Sequence, residues 1–101
     1  MDFKVEFKDS FVNDLEQIVR RIAAHNPDAA RNLGNLILDR CESLSFFPER
    51  YPKVRLRPGI RRFVVRKNFK IFYRVKSDVR LLRFCDAGTQ DGALIPEWTR
   101  N

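Results

Sequence analysis

The spacing of apolar residues changes once along this chain, and that change restricts the fold more than any other feature of the sequence. Between Phe11 and Leu44, apolar residues recur every three or four positions, as they do along one face of an α-helix. From Arg61 to Phe84 they alternate with charged residues, as in a strand with one buried face. A shorter alternating run at residues 2–7 precedes the helical region. The order strand, helix, helix, strands predicts an α+β fold.

Two helices are expected before the strand region. Asp9 and Ser10 offer N-cap oxygens to the first helix. Asn26 can cap the second, and Pro27 fits its first helical position. Pro48 ends the second pattern. Because the link between the two helices is short, they are expected to form an antiparallel helical hairpin.

The strand region predicts a meander. Residues 48–60 contain three prolines and a glycine, which favours an irregular crossing before three antiparallel strands. With a two-residue loop between the last two strands, Tyr73 would face Leu82 and Ile71 would face Phe84. The predicted fold is α+β: an N-terminal strand, a helical hairpin and a C-terminal antiparallel three-stranded meander form one sheet, with the helices packed on one face.

Charge is distributed unevenly along the chain. Residues 50–84 hold thirteen Lys and Arg against one acid, Asp78, whereas residues 1–49 hold six against nine acids. Such clustering is typical of a surface that attracts a polyanionic or acidic partner, and a solvated charged sheet face is the alternative. A length of 101 residues predicts a single domain over residues 1–101, with residues 89–101 as a polar tail.

Several classes of protein are not expected. Cys41 and Cys85 lie far apart with no CxxC spacing, so we expect buried free thiols and neither a metal nor a cofactor. The N-terminus lacks the apolar run of a signal peptide, and no stretch approaches ~18 apolar residues. The sequence therefore predicts a cytoplasmic protein without a membrane partner.

Groups for acid–base catalysis are scarce. Cleavage of RNA needs a base for the 2′-hydroxyl, cations for the phosphate and an acid for the leaving oxygen. His25 is expected at a helix end on the surface, Tyr73 in the core and Glu49 in a solvated loop. Lys67 or Lys70 could act as a base only if desolvation or neighbouring cations lowered its pKa. We assign no catalytic residue, and the chain is expected to be no enzyme unless it is an mRNA endoribonuclease.

The basic side chains of the strands are the expected target-binding residues. They are predicted to form a patch on the open face of the sheet, from Arg61, Arg62, Lys70, Arg74 and Arg83. The guanidinium fork of arginine suits phosphate and carboxylate alike, so the patch does not choose between nucleic acid and an acidic protein surface. Phe72 is an apolar group on the same face, covered either by a neighbouring segment of the chain or by a partner.

Several short motifs follow one another in a recognisable order. They are Asp14-Leu15 with Ile18, Asn26-Pro27 with Ala29-Ala30, the exit from Leu44 to Pro48, Pro58-Gly59-Ile60-Arg61-Arg62, and the aromatic strand of residues 69–75 with its hairpin to residues 79–84. Over about residues 3–86 the sequence resembles the RelE/ParE superfamily of toxins from type II toxin–antitoxin pairs, and the opening of the second helix is closer to the ParE branch. Many relatives continue from the last strand into His-Gly and then Arg. This chain has no His or Arg there, in Cys85-Asp86-Ala87-Gly88.

The resemblance implies a function. It suggests a ParE-like toxin that binds DNA gyrase without being an enzyme and that a cognate antitoxin neutralises, with Phe72 as an antitoxin-binding residue. One alternative is a RelE-like, ribosome-dependent mRNA endonuclease, whose partners would be the ribosome and mRNA. Another is an inactive relative that only binds an antitoxin.

Overall fold

The computed structural model describes residues 2–55 and 57–88 of the chain. Its elements are β1 (Val5–Phe7), α1 (Asp9–Ala23), α2 (Pro27–Glu42), two 3₁₀ turns (Ser43–Ser45 and Pro48–Arg50), β2 (Lys53–Val54), β3 (Arg57–Val65), β4 (Phe69–Val75) and β5 (Val79–Asp86). The predicted α+β fold is confirmed, with its helical hairpin and C-terminal meander. The predicted polar tail, residues 89–101, lies outside the described residues.

All five strands form one sheet in the order β1-β5-β4-β3-β2. Strands β2 to β5 pair antiparallel, whereas β1 runs parallel to β5, with Val5 opposite Val79. A parallel pair needs a crossover between its strands, and both helices lie in that connection. The N-terminal strand therefore returns to the edge of the meander, as the order of elements predicts.

The main core lies between the helices and one face of the sheet. Its buried residues come from both helices, the turn after α2 and the last three strands: Phe11, Ile18, Leu33, Ile37, Cys41, Leu44, Phe63, Val65, Ile71, Tyr73, Val79, Leu81 and Phe84. The helical members recur at the spacing of one helix face, and the strand members alternate. Each fully buried side chain of this size contributes about 1.5–3 kcal/mol to folding.

The two helix starts differ from each other. The Asn26 side chain accepts a hydrogen bond from the Ala29 N–H at 3.1 Å and Pro27 occupies the first turn, so the predicted cap of α2 is confirmed. The predicted cap of α1 is wrong, because Lys8 is the N-cap and makes no side-chain capping bond. Ser10 lies in the first turn of α1, and its hydroxyl donates to the Leu82 carbonyl at 2.6 Å. That serine fastens α1 to β5.

The segment of residues 48–60 is more regular than its prolines suggest. It contains β2, and β3 already begins at Arg57 rather than at Arg61. Proline is tolerated at sheet edges, where its missing N–H costs no ladder bond. The prediction of a wholly irregular crossing is therefore wrong.

The predicted register of the β4–β5 hairpin is correct at one residue pair and off by one residue at another. Ile71 faces Phe84 as predicted, but Tyr73 faces Leu81 instead of Leu82. The loop holds three residues, because Val75 pairs with Val79, and the register shifts between Phe72 and Tyr73. A bulge adds one residue to one strand, and here it restores the register that the longer loop had displaced.

Two buried groups predict a loss of stability at alkaline pH. Burial raises the pKa of the Cys41 thiol from 9.0 to about 12 and that of Tyr73 from 10.0 to about 12. Both groups are neutral in the folded protein. The stability that they contribute is therefore complete below pH 9 and is lost as the pH rises towards 12. We expect the free energy of unfolding to fall by a few kcal/mol over that range, because each unit by which folding raises the pKa of a group corresponds to about 1.4 kcal/mol.

Urea unfolding at pH 8 and pH 11 measures this loss. Cys41→Ala should make the drop smaller than in the wild type, whereas exposed Ser77→Ala should leave it unchanged. An equal drop in the wild type and in Cys41→Ala would show that the buried thiol does not contribute.

Candidate functional site

Half-buried cations lie on the face of the sheet turned away from the helices. Arg62 of β3 is paired with Phe72 of β4, which is buried outside the main core. Lys70 and Arg74 lie two positions to either side of Phe72, so they share its face. We call Arg62, Lys70 and Arg74 the basic face.

The turn between β3 and β4 extends this positive charge beyond the sheet. Arg66 and Lys67 are exposed there and have φ values of 54° and 62°. The Asn68 N–H donates to the Val65 carbonyl at 3.2 Å, which closes a tight turn. Positive φ at both central residues usually selects Asn and Gly, and costs other residues about 1 kcal/mol or more each. Backbone strain at two exposed cations favours a functional role for the β3–β4 turn, which we call the tip.

Arg74 and Arg80 directly oppose each other across β4 and β5. Arg80 is balanced by two acids, with its Nε 3.3 Å from Asp78 Oδ2 and 3.7 Å from Glu6 Oε2. Among residues 2–55 and 57–88, no carboxylate forms an ion pair with Arg74. The positive charge of Arg74 is therefore available to a partner.

Arg61 does not lie on the basic face. It pairs with Tyr73, whose ring is in the main core, and consecutive residues of a strand point to opposite faces. Its guanidinium donates to the Tyr51 carbonyl at 2.6 Å and lies 3.6 Å from Glu49 Oε2. Arg61 joins the segment before β2 to the sheet, so its predicted place in the open patch is wrong.

Arg83 binds Asp14, a residue that no sequence pattern marked as part of a site. The Arg83 Nε donates to Asp14 Oδ2 at 2.7 Å, and a second guanidinium nitrogen donates to Asp14 Oδ1 at 3.1 Å. Asp14 Oδ2 also accepts the Phe84 N–H at 3.0 Å. The two side chains are only 18% and 17% exposed. Asp14 thus holds α1 against β5, and the guanidinium of Arg83 takes part in this helix–sheet contact.

Removing the Asp14 carboxylate should destabilise the fold. Asp14→Ala leaves a half-buried guanidinium and the Phe84 N–H without this acceptor, so we expect the free energy of unfolding to fall by about 2–3 kcal/mol. Exposed Asp2→Ala is the control and should change it by less than about 0.5 kcal/mol. Chemical denaturation checks both, and an Asp14→Ala chain as stable as the control would rule out a structural role for the ion pair.

Phe72 is fully buried by the chain itself. It is 0% exposed and packs with Val54 of β2 and Ile60 of β3 in a second apolar cluster, with Leu82 and Cys85 partly buried beside it. Of the two ways of covering Phe72 that the sequence left open, a neighbouring segment is the one observed. Phe72 is thus a buried side chain and not an exposed apolar group, and its assignment as an antitoxin contact stays a prediction.

Of the groups considered for catalysis, Lys70 belongs to the basic face and Lys67 lies in the turn beside it, whereas His25 and Tyr73 lie elsewhere. His25 is exposed in the turn after α1, and the Tyr73 hydroxyl donates to the Pro48 carbonyl at 2.6 Å inside the core. Burial raises the pKa of Tyr73 to about 12, which makes it a poor base near neutral pH. Within the described ranges, the strand positions of the basic face carry neither a carboxylate nor an imidazole.

Neither a metal site nor a membrane span is present in the described part of the chain. Its residues contain no group of three or more His, Cys, Asp or Glu side chains that could hold a metal ion. Over the same residues, neither helix has the length and apolar character needed to cross a bilayer. Neither Cys41, which is buried, nor Cys85, which is half-buried, forms a disulfide.

Comparison with known proteins identifies one family. A sequence model described as ParE toxin of type II toxin-antitoxin system, parDE, matches residues 5–89. No curated protein matches the sequence.

Solved structures share the fold. A structure of the chromosomal ParDE system from P. aeruginosa has a TM-score of 0.73 and 19% identity, covering 83% of this chain and 95% of that chain. The RelBE2 toxin–antitoxin complex from Mycobacterium tuberculosis has a TM-score of 0.58 and 22% identity, covering 85% and 92%. The solution structure of a conserved hypothetical protein from Helicobacter pylori has a TM-score of 0.52 and 23% sequence identity, covering 83% of this chain and 93% of that chain. At these identities the similarity establishes the fold alone.

Proposed function

The chain belongs to the ParE family of type II toxins, and from that membership we propose that it inhibits growth by binding DNA gyrase through the basic face and that a cognate antitoxin neutralises it. One observation supports the mode of action more than any other. Arg62, Lys70 and Arg74 gather on one face of β3 and β4, and the described positions of these two strands on that face hold neither a carboxylate nor an imidazole. Such a surface can bind an anionic partner by charge and by hydrogen bonds from its guanidinium groups.

The charge of the basic face fits a large, acidic or nucleic-acid-bearing target. Clustered arginines and lysines attract such targets over long distances and orient them on arrival. The strained cations at the tip, Arg66 and Lys67, would extend the contact past the end of the sheet.

A ribosome-dependent mRNA endonuclease is the second candidate. The RelBE2 complex shares the fold, and the basic face could hold an RNA backbone. Two of the groups that could act as a base lie away from the basic face, because Tyr73 is in the core and His25 is at a helix end. The endonuclease would have to use Lys67 or Lys70 instead. The gyrase proposal requires no such group.

Expression of the chain in bacteria without its antitoxin separates the candidates. Under the gyrase proposal, growth stops with loss of negative supercoiling in a reporter plasmid while coding mRNA stays intact. Cleavage of mRNA within coding regions, mapped from 5′ ends, would replace this proposal with the endonuclease. Normal growth at high levels of folded protein would contradict both and indicate an inactive relative.

A further inference from the structure

The tip holds two adjacent cations in a strained backbone conformation. Arg66 and Lys67 have φ values of 54° and 62°, a region that asparagine and glycine occupy with less strain. Two backbone bonds fasten the turn. The Asn68 N–H donates to the Val65 carbonyl at 3.2 Å, and the Ala87 N–H donates to the Asn68 carbonyl at 2.8 Å. Both cations are exposed, so the tip presents two charges to solvent from a position that the backbone fixes.

The tip continues the row of cations on the basic face. Arg74 and Lys70 lie four residues apart on β4, and Lys67 lies three residues before Lys70. At about 3.3 Å per residue, the row from Arg74 to Lys67 is about 23 Å long. Base pairs of a DNA duplex are about 3.4 Å apart, so a row of this length matches about seven of them.

The acids beside this row lie against other cations. The single acid among residues 50–84 is 3.3 Å from Arg80. Asp86 is opposite Phe69, which packs against the main core, so Asp86 lies on the helix side of the sheet. There it is 3.5 Å from Arg21 of α1. The row therefore stays strongly positive along its length.

The basic face offers little apolar surface. Phe72, the aromatic residue among its cations, is 0% exposed, and Val64 is the one large apolar side chain of the described strands that is exposed. The centre of a protein–protein contact is usually apolar and aromatic, whereas contacts with DNA are more polar and more positively charged. Single-stranded nucleic acids are held by stacking on aromatic side chains, and the described strands expose none. A duplex that is held by its phosphates fits this surface best.

We propose that the tip and the basic face together bind the phosphate backbone of double-stranded DNA. The inference deepens the gyrase proposal and rests on it, because the duplex on which gyrase acts is the DNA that this toxin would meet. Arginine donates paired hydrogen bonds to a phosphate, and lysine supplies a point charge. The strain at the tip is consistent with this role, because asparagine and glycine would relax the turn but would remove both charges.

Fluorescence anisotropy of a labelled duplex gives the test. The full-length chain is titrated into a duplex of about 20 base pairs at salt concentrations from about 50 to 200 mM. The expected dissociation constant is about 1–100 µM at physiological salt. Five cations on phosphates predict that the logarithm of affinity falls with the logarithm of salt concentration with a slope of about −4. If the folded chain fails to bind the duplex at the lowest salt, the proposal is overturned.

The tip variant Arg66→Asn with Lys67→Gly isolates the contribution of the tip. It should make the slope shallower by about 2, because each phosphate contact contributes about 0.9. It should also raise Tm by about 5–10 °C, because its residues suit positive φ. Weaker binding by a more stable chain cannot come from unfolding. A tip variant that keeps the wild-type slope, or that melts below the wild type, would overturn the proposal.

Two control variants separate the tip from net charge. Arg66→Lys with Lys67→Arg keeps both charges and should keep the wild-type slope. Arg20→Ala with Arg31→Ala removes two charges at exposed positions on the helices and should change the slope by less than about 0.5. An equal change in this helix variant and in the tip variant would show that net charge alone acts, which contradicts a site at the tip.

Two further measurements distinguish the proposal from its alternatives. A single-stranded RNA of the same length should bind at least about threefold more weakly than the duplex. Tighter binding of the RNA would overturn the duplex assignment. A supercoiling assay with gyrase then separates the two proposals. Duplex binding without inhibition would contradict the gyrase proposal alone, and inhibition without duplex binding would contradict the DNA contact alone.

Discussion

Replacing Arg62, Lys70 and Arg74 together with Glu is expected to raise the protein concentration that half-inhibits gyrase by about 10- to 100-fold. The three side chains lie on one face of the sheet and are half-buried, so each has a defined position before a partner arrives. Reversing their charges replaces attraction by repulsion at the centre of the proposed contact. The measurement is a concentration series in a supercoiling assay.

A matched variant controls for net charge. Arg20→Glu with Arg31→Glu and Arg40→Glu changes the net charge by the same amount at exposed positions on the two helices. It should inhibit gyrase within about threefold of the wild type, because charge reversals outside a contact act mainly through a screened long-range field. Circular dichroism must show both variants folded. Equal losses in the two variants would mean that overall charge, and not the basic face, is what matters.

Replacing Phe72 with Ala is expected to lower the free energy of unfolding by about 3–5 kcal/mol. Its ring fills the second apolar cluster, and the substitution would leave a cavity beneath Val54 and Ile60. Domains of this size are stable by about 5–15 kcal/mol, so the variant would be close to unfolding. Urea denaturation followed by circular dichroism measures the change.

Phe46→Ala is the matched control for that experiment. Phe46 is 72% exposed, so removing the same ring there should cost no more than about 0.5 kcal/mol. A Phe72→Ala chain that loses less than about 1 kcal/mol and yet binds its antitoxin poorly would support the assignment of Phe72 as an antitoxin contact. The burial of Phe72 predicts the reverse, a large loss of stability.

Local chemistry accounts for the parts of the fold that the sequence predicted correctly. Asn26 and Pro27 define the start of α2, because the cap and the first-turn proline act within a few residues of each other. The alternation in β4 places Ile71 and Tyr73 in the core for the same reason, since the period of a strand is a local property. The hairpin and the meander follow from such signals.

The errors arose where distant residues decide the structure. The β4–β5 register depends on a bulge near Phe72, which alternation alone does not reveal. The burial of Phe72 depends on Val54, which lies in a segment whose prolines favoured an irregular loop. No pattern in a single sequence links these positions.

The candidate site shows the same division. Lys70 and Arg74 lie where the alternation placed them, whereas Arg61 was assigned to the face of Arg62 although adjacent strand residues point apart. That error could have been avoided from the sequence. The pairing of Arg83 with Asp14 could not, because the two are separated by 69 positions and meet only after α1 packs beside β5.

Purified gyrase provides the most direct measurement of the central claim. Relaxed plasmid, ATP and gyrase are incubated with increasing amounts of the folded chain, and the supercoiled product is quantified on a gel. The account predicts a dose-dependent loss of supercoiling. The loss should be weaker for the variant with Arg62, Lys70 and Arg74 reversed, and unchanged for the control variant with three charges reversed on the helices. Full supercoiling at saturating amounts of folded wild-type protein would contradict it.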